Sequence, residues 1–201
     1  TVAEQRDSLK RTKEAFEKLG IRATGFSSPG GHVTAETFPI CEELGLDYVC
    51  GLRNADVPFI IPVNGRKLVG QTSYALTDFA NYNPADASPR DIVGMWKDAF
   101  DGMYEEGQRG HPKFLAYGTH PILAHSFRTR PLEDLIDYVK SKPKVWITTR
   151  GEIARWMLDR YPDHTLAAFY PEAVAYDRWY GLGIGLGGEE AVKEALSFRR
   201  Q

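Results

Sequence analysis

Short apolar runs alternate with segments of helical period along most of this chain, and that alternation restricts the fold more than any other feature. Residues 111–156 show it best. Phe114-Leu115-Ala116-Tyr117 leads into Gly118-Thr119-His120-Pro121. A loop with Arg128 and Arg130 follows, then a helix from Pro131, a second apolar run Val145-Trp146-Ile147, and another helix. A strand that returns through a helix lies parallel to its predecessor, because an antiparallel return needs only a short turn. In α/β barrels the chemistry sits at the C-terminal ends of the strands, where the βα loops converge. His120, just past its apolar run, stands where a catalytic group is expected.

The rest of the chain continues the pattern. Residues 3–19 read as an amphipathic helix, with Leu9, Thr12, Phe16 and Leu19 at three-to-four spacing and Gly20 as its stop. Residues 21–26 predict a short strand running into the loop Ser27-Ser28-Pro29-Gly30-Gly31. Thr34 is expected to cap a helix over 35–44 that buries Phe38, Cys41 and Leu44. A second strand follows at 47–51. Residues 52–66, with Pro58, Pro62 and Asn64-Gly65, predict a long loop or short hairpin, and 67–75 a third strand. Ser88-Pro89-Arg90-Asp91 opens the clearest helix: a cap, a proline fitting the first helical position, and an acid in the first turn. Val93, Trp96, Phe100 and Met103 form its apolar stripe, and Gly107 ends it. Strands at 114–117 and 145–148 and helices at 131–140 and 151–159 complete the alternation, the last helix opened by a capping box, Thr149-Arg150-Gly151-Glu152.

These elements predict a mainly parallel α/β sheet with roughly five strands, too few to close an eight-stranded barrel. After Pro162 the pattern changes. Residues 1–161 are read as βα units, and 162–201, aromatic and glycine-rich with a helix at 189–199, as a C-terminal extension packing on them. At 201 residues and 42% hydrophobic content the chain can bury a core. A net charge of −2, with dispersed Arg and Lys, argues against nucleic acid as a partner. No apolar run approaches the roughly 18 residues of a membrane helix. Cys41 and Cys50 form no metal or disulfide pattern and read as buried thiols, which favours a reducing cytoplasm.

Five segments, "EQRDSLKRTKEAFEKLGIRATGFSSPGG", "LGLDY", "SPRDIVGMWKDAFDGMYEEG", "FLAYGTHP" and "KVWITTRGEIARW", together resemble the polysaccharide deacetylase (NodB-homology) superfamily, and within it the allantoinase-like branch. The likeness runs over residues 3–158. It implies a distorted (β/α) barrel that is incomplete here, its first strands missing, because the family's opening Asp-rich strand and its His-x-x-x-His motif would precede Thr1. It also implies hydrolysis of a non-peptide C–N bond in a small amide, ureide, cyclic imide or N-acetyl group. Another chain or a missing N-terminal segment would complete the barrel, and a homo-oligomer is expected. A divalent metal such as zinc would take its ligands from outside this chain, so no metal ligand is assigned here. Where the family carries an arginine before a proline this chain has Ser27, a departure that favours the allantoinase-like branch.

The resemblance matches His120 to the family's general acid. An imidazolium can protonate a departing nitrogen near neutral pH, its free pKa being about 6.5. From the residues alone, a loop-start histidine bonded to backbone remains the alternative. Ser27 and Ser28 are candidate substrate donors, Arg128 a candidate clamp for a carbonyl or carboxylate, and Asp78 a candidate site acid; Arg128 reads equally as part of a surface salt bridge, and Asp78 more readily as a solvated loop acid. No nucleophile elbow surrounds Ser27. Gly183-Ile184-Gly185-Leu186-Gly187-Gly188 lacks the strand and distal acid of a dinucleotide site. The rival reading from another class is a non-catalytic homologue that keeps the fold for binding or assembly.

Overall fold

A computed structural model describes residues 1–28, 33–34, 36–52, 55–72, 88–121 and 125–165. The chain divides into two compact units: Thr1–Gln71 with, among the described residues, 149–165, and Thr72–Thr148.

The first unit holds helices α1 (Val2–Lys18) and α2 (Thr37–Glu43) and strands β1 (Gly25–Ser27), β2 (Tyr48–Leu52), β3 (Phe59–Val63) and β4 (Arg66–Thr72). The strands lie in the order β1-β2-β4-β3. β1 and β2 are parallel, with Gly25 opposite Tyr48 and Ser27 opposite Cys50. β3 and β4 form an antiparallel hairpin, so the sheet is mixed and the hairpin option for 52–66 is the one realised. Its turn is Asn64-Gly65, at φ 47° and 83°. Two successive residues in the left-handed region suit the right-handed twist of paired strands, and Asn-Gly tolerates that conformation best.

Alternation of side chains along β3 and β4 gives the sheet two apolar faces. Phe59, Ile61 and Leu68 join Val49, Leu52 and the α2 residues Phe38 and Cys41 in one core. Ile60 and Val69 point the other way, onto Ala154 and Met157 of the helix Arg150–Arg160, the last in the described chain. That helix opens with the expected capping box: Thr149 accepts from the Glu152 amide, and the Glu152 carboxylate accepts from the Thr149 amide at 3.0 Å. Its first residue is tied to the sheet by Gln71, fully buried, whose Nε2 donates to the Arg150 carbonyl at 2.8 Å. The Arg150 guanidinium returns a bond to Gln71 Oε1 at 3.3 Å. Beyond the helix, the Ile60 amide donates to the His164 carbonyl at 2.8 Å, which covers part of the β3 edge.

Thr34 does not cap α2 as expected. The N-cap is Glu36, with no side-chain bond, while the Thr34 amide donates to Thr37 Oγ1. Thr37 is fully buried and also accepts from Gln5 of α1 at 2.7 Å. The hydroxyl nearest the helix start is thus the one inside the first turn.

The second unit contains α3 (Pro89–Gln108) and α4 (Ser126–Lys140); Arg150–Arg160 of the first unit is α5. Ser88, Pro89 and Asp91 open α3 as the sequence predicts, with a reciprocal capping box. Ile92, Val93, Trp96 and Leu135 form the core of this unit. α4 starts earlier than expected, at Ser126, and carries Pro131 inside it, forfeiting one i→i−4 bond rather than opening the helix. The runs 114–117 and 145–148 are described but belong to no strand. Trp146 and Ile147 are 56% and 60% exposed. An apolar run becomes a strand only where a neighbour supplies a ladder, and among the described residues the four paired strands lie in the first unit, save for Thr72 at the end of β4. The fold is therefore α/β with an open four-stranded sheet among the described residues, as an incomplete barrel would have. The helix expected at 189–199, the 183–188 glycines and nearly all of the expected extension lie outside them.

Candidate functional site

The segment carrying His120 is an extended stretch anchored from below. Its start is held by the Lys113 ammonium on Glu106 at 2.8 Å and by the His111 amide on the Glu106 carbonyl at 3.1 Å. Three residues before His120, the Tyr117 ring packs on Trp96 at 5.3 Å between centroids. Its hydroxyl donates to the Trp96 carbonyl at 2.9 Å. Burial, reinforced by the Asp101 charge, pushes the Tyr117 phenol well above its ordinary value, so it stays a donor over the whole working pH range. The anchor is fixed, and His120 beyond it is exposed to solvent and engaged in an interaction within the molecule. His125 follows as the N-cap residue of α4 but makes no capping bond through its side chain.

Ser27 and Ser28 belong to the first unit. Ser27 is the last residue of β1, exposed, and Ser28 follows it half-buried. Both stand at the C-terminal end of a strand that runs parallel to its neighbour, the position the barrel analogy assigns to site residues. Arg128 lies in the first turn of α4, with its side chain outside the described residues; Asp78 lies outside them altogether. His120 and the two serines fall in different units, and each is placed within its own.

Sequence reasoning missed the polar group around Arg150. The guanidinium that binds Gln71 also lowers, by its charge, part of the rise that burial imposes on the Cys50 thiol. Burial pushes the Cys41 thiol up to about 12. Both cysteines are free, buried and protonated at neutral pH, hence unsuited to nucleophilic work. No signal in the chain could have paired Gln71 with Arg150, since 79 residues separate them.

Among the described residues no three His, Cys, Asp or Glu side chains gather as metal ligands would. A catalytic zinc needs about three protein ligands and an open position. The described donors do not make such a set.

No family model matches the chain. It is 33% identical over 107 residues to a provisionally named polysaccharide deacetylase of Schizosaccharomyces pombe, a stretch covering 53% of this chain and 30% of that protein. Its fold is similar to that of the Puue allantoinase, with a TM-score of 0.71, 28% identity, and coverage of 80% of this chain and 54% of that one. It is similar also to a probable polysaccharide deacetylase of Pseudomonas aeruginosa PAO1, with a TM-score of 0.71, 26% identity, and coverage of 81% of this chain and 55% of that one. The chain thus spans about half the length of the solved relatives and less than a third of the curated one.

Proposed function

We propose that the chain, similar to a polysaccharide deacetylase and to an allantoinase, is a member of the polysaccharide deacetylase (NodB-homology) superfamily in its allantoinase-like branch and serves the hydrolysis of a non-peptide C–N bond in a small amide, ureide, cyclic imide or N-acetyl group. In this reading water adds to the carbonyl carbon, the C–N bond breaks, and the departing nitrogen takes a proton from the His120 imidazolium. Ser27 and Ser28 donate to the substrate, Arg128 grips a carbonyl or carboxylate, and Asp78 lines the same site. The observation that carries the proposal is the likeness to an allantoinase over 80% of the chain, supported by the exposed His120 on its Tyr117 anchor. A divalent ion, if the whole protein uses one, would polarise the carbonyl and the water, and its ligands would come from outside the described residues.

The proposal extends to partners. β1 ends the sheet order and has no neighbour on its outer side among the described residues. A further segment or second chain is proposed to cover that edge, since an uncovered strand edge invites pairing. No described helix is long and apolar enough to cross a membrane; the two free thiols support a reducing compartment, with the cytoplasm as the proposed site.

The test is an assay of the natural full-length protein on allantoin, a cyclic imide and N-acetylglucosamine oligomers, with and without His120→Gln. Turnover of one class, falling by about 10²–10⁴ in kcat with a preserved melting temperature, is the expected result for a general acid. Turnover untouched by His120→Gln removes the acid assignment. No turnover of any class by the full-length protein favours the non-catalytic homologue.

A further inference from the structure

α3 and α4 meet through Val93, Trp96 and Leu135, with Leu132 and Val139 beside them. Alongside that contact they leave a cavity of about 690 Å³. It exists because of small and cyclic residues: its walls include Pro89, Val93 and Gly94 of α3 and Pro131 of α4. A Cβ added to Gly94 would meet nothing within 4 Å. Around this apolar floor stand three cations, Arg90, Lys97 and Arg130, against one carboxylate, Asp134. Arg90 and Arg130 are exposed, and among the described residues neither forms an ion pair. The Lys97 ammonium sits 4.9 Å over the Tyr138 ring.

We propose that this groove binds a small organic anion: a carboxylate on an apolar body. The chemistry is complementary in two parts. Guanidinium groups bind carboxylate bidentately and retain their charge at any working pH. The proline, valine and glycine floor offers contact to a ring or short aliphatic body, which a bare inorganic anion lacks. The volume lies within the roughly 300–1,000 Å³ range of small-ligand pockets. Arg90 occupies the second position of a 20-residue helix, so the positive end of that helix adds to its field. His120 is not among the lining residues. The proposal therefore stands apart from the amide-hydrolysis reading, and either can fail alone.

The test is calorimetric or NMR titration of the full chain with benzoate, and with inorganic phosphate as the bare-anion control. Saturable benzoate binding in the millimolar range is expected, with phosphate at least about tenfold weaker. Arg90→Gln combined with Arg130→Gln should weaken benzoate about tenfold or more by removing the forks. Gly94→Leu should do the same by filling the floor, and its open surroundings make it harmless to folding; unchanged melting temperatures verify that. No saturation with benzoate, equal binding of phosphate, or variants that titrate like the parent would each overturn the proposal.

Discussion

Gly25 faces Tyr48 across the β1–β2 pair, and a Cβ at this position would fall 2.0–2.4 Å from three atoms of the tyrosine ring. Tyr48 is half-buried against the Ile60 and Val69 cluster, so the ring cannot step aside freely. Gly25→Ala should therefore destabilise the chain by about 1–3 kcal/mol, the usual cost of overpacking. Urea unfolding measures it, and Tyr48→Ala in the same background should recover part of the loss. A second residue-scale effect concerns pH. The Cys41 thiol titrates at an ordinary 9.0 when solvated and at about 12 in the fold, chiefly from burial, with the Cys50 charge adding. Between those values the unfolded chain sheds a proton that the folded chain keeps. Its contribution is thus fully present below pH 9 and is lost as pH rises toward 12. Tyr48 and Tyr117 are raised as well and act in the same sense above pH 10. Cys50 is raised by burial too, so the discriminating comparison is Cys41→Ala against the parent between about pH 9 and 10, where the parent should lose stability with rising pH more steeply than the variant. Parallel slopes would show that Cys41 is not buried as described.

The starts of α3 and α5 were the most legible features because their chemistry is local. Ser88, three residues before Asp91, and Thr149, three before Glu152, each make both halves of a capping box. Ser88→Ala should cost about 1 kcal/mol, from the amide left unbonded, read as a lower denaturation midpoint. An unchanged midpoint would mean that α3 frays at its start. The β3–β4 hairpin was half-legible, since Asn64-Gly65 marks the turn while Pro58 and Pro62 obscure the strand; Pro62 is tolerated as the exposed residue of β3. The runs at 114–117 and 145–148 misled because composition reports apolarity and not a ladder partner. Thr34 misled because two threonines compete for one helix start, and the buried one, Thr37, takes the bonds. His120 was legible as a candidate from its place after an apolar run; its role as an acid came from the family likeness. The Tyr117–Trp96 anchor beneath it is a tertiary fact, carried by residues 21 apart and invisible to periodicity.

At the scale of the molecule, the donor inventory bears on metal. The described histidines are His111, His120, His125 and His164, and no third ligand joins any of them. His164 belongs to the first unit and the other three to the second. Desolvation by burial lowers the His164 pKa, which favours the neutral imidazole a metal needs. A lone neutral imidazole still holds zinc weakly, because tight binding requires about three ligands in a fixed tetrahedral arrangement. His120 and His125 lie five positions apart, so they do not make a helical i, i+4 ligand pair. The chain by itself is therefore predicted not to retain zinc through dialysis against a weak chelator. Elemental analysis of the dialysed chain should find well under one ion per molecule. A form of the protein carrying the Asp and His-x-x-x-His motifs should approach one ion per molecule, because that set would supply about three ligands and leave one position open. About one zinc retained by the chain alone would overturn this, and would mean that side chains outside the described residues complete a ligand set within the chain.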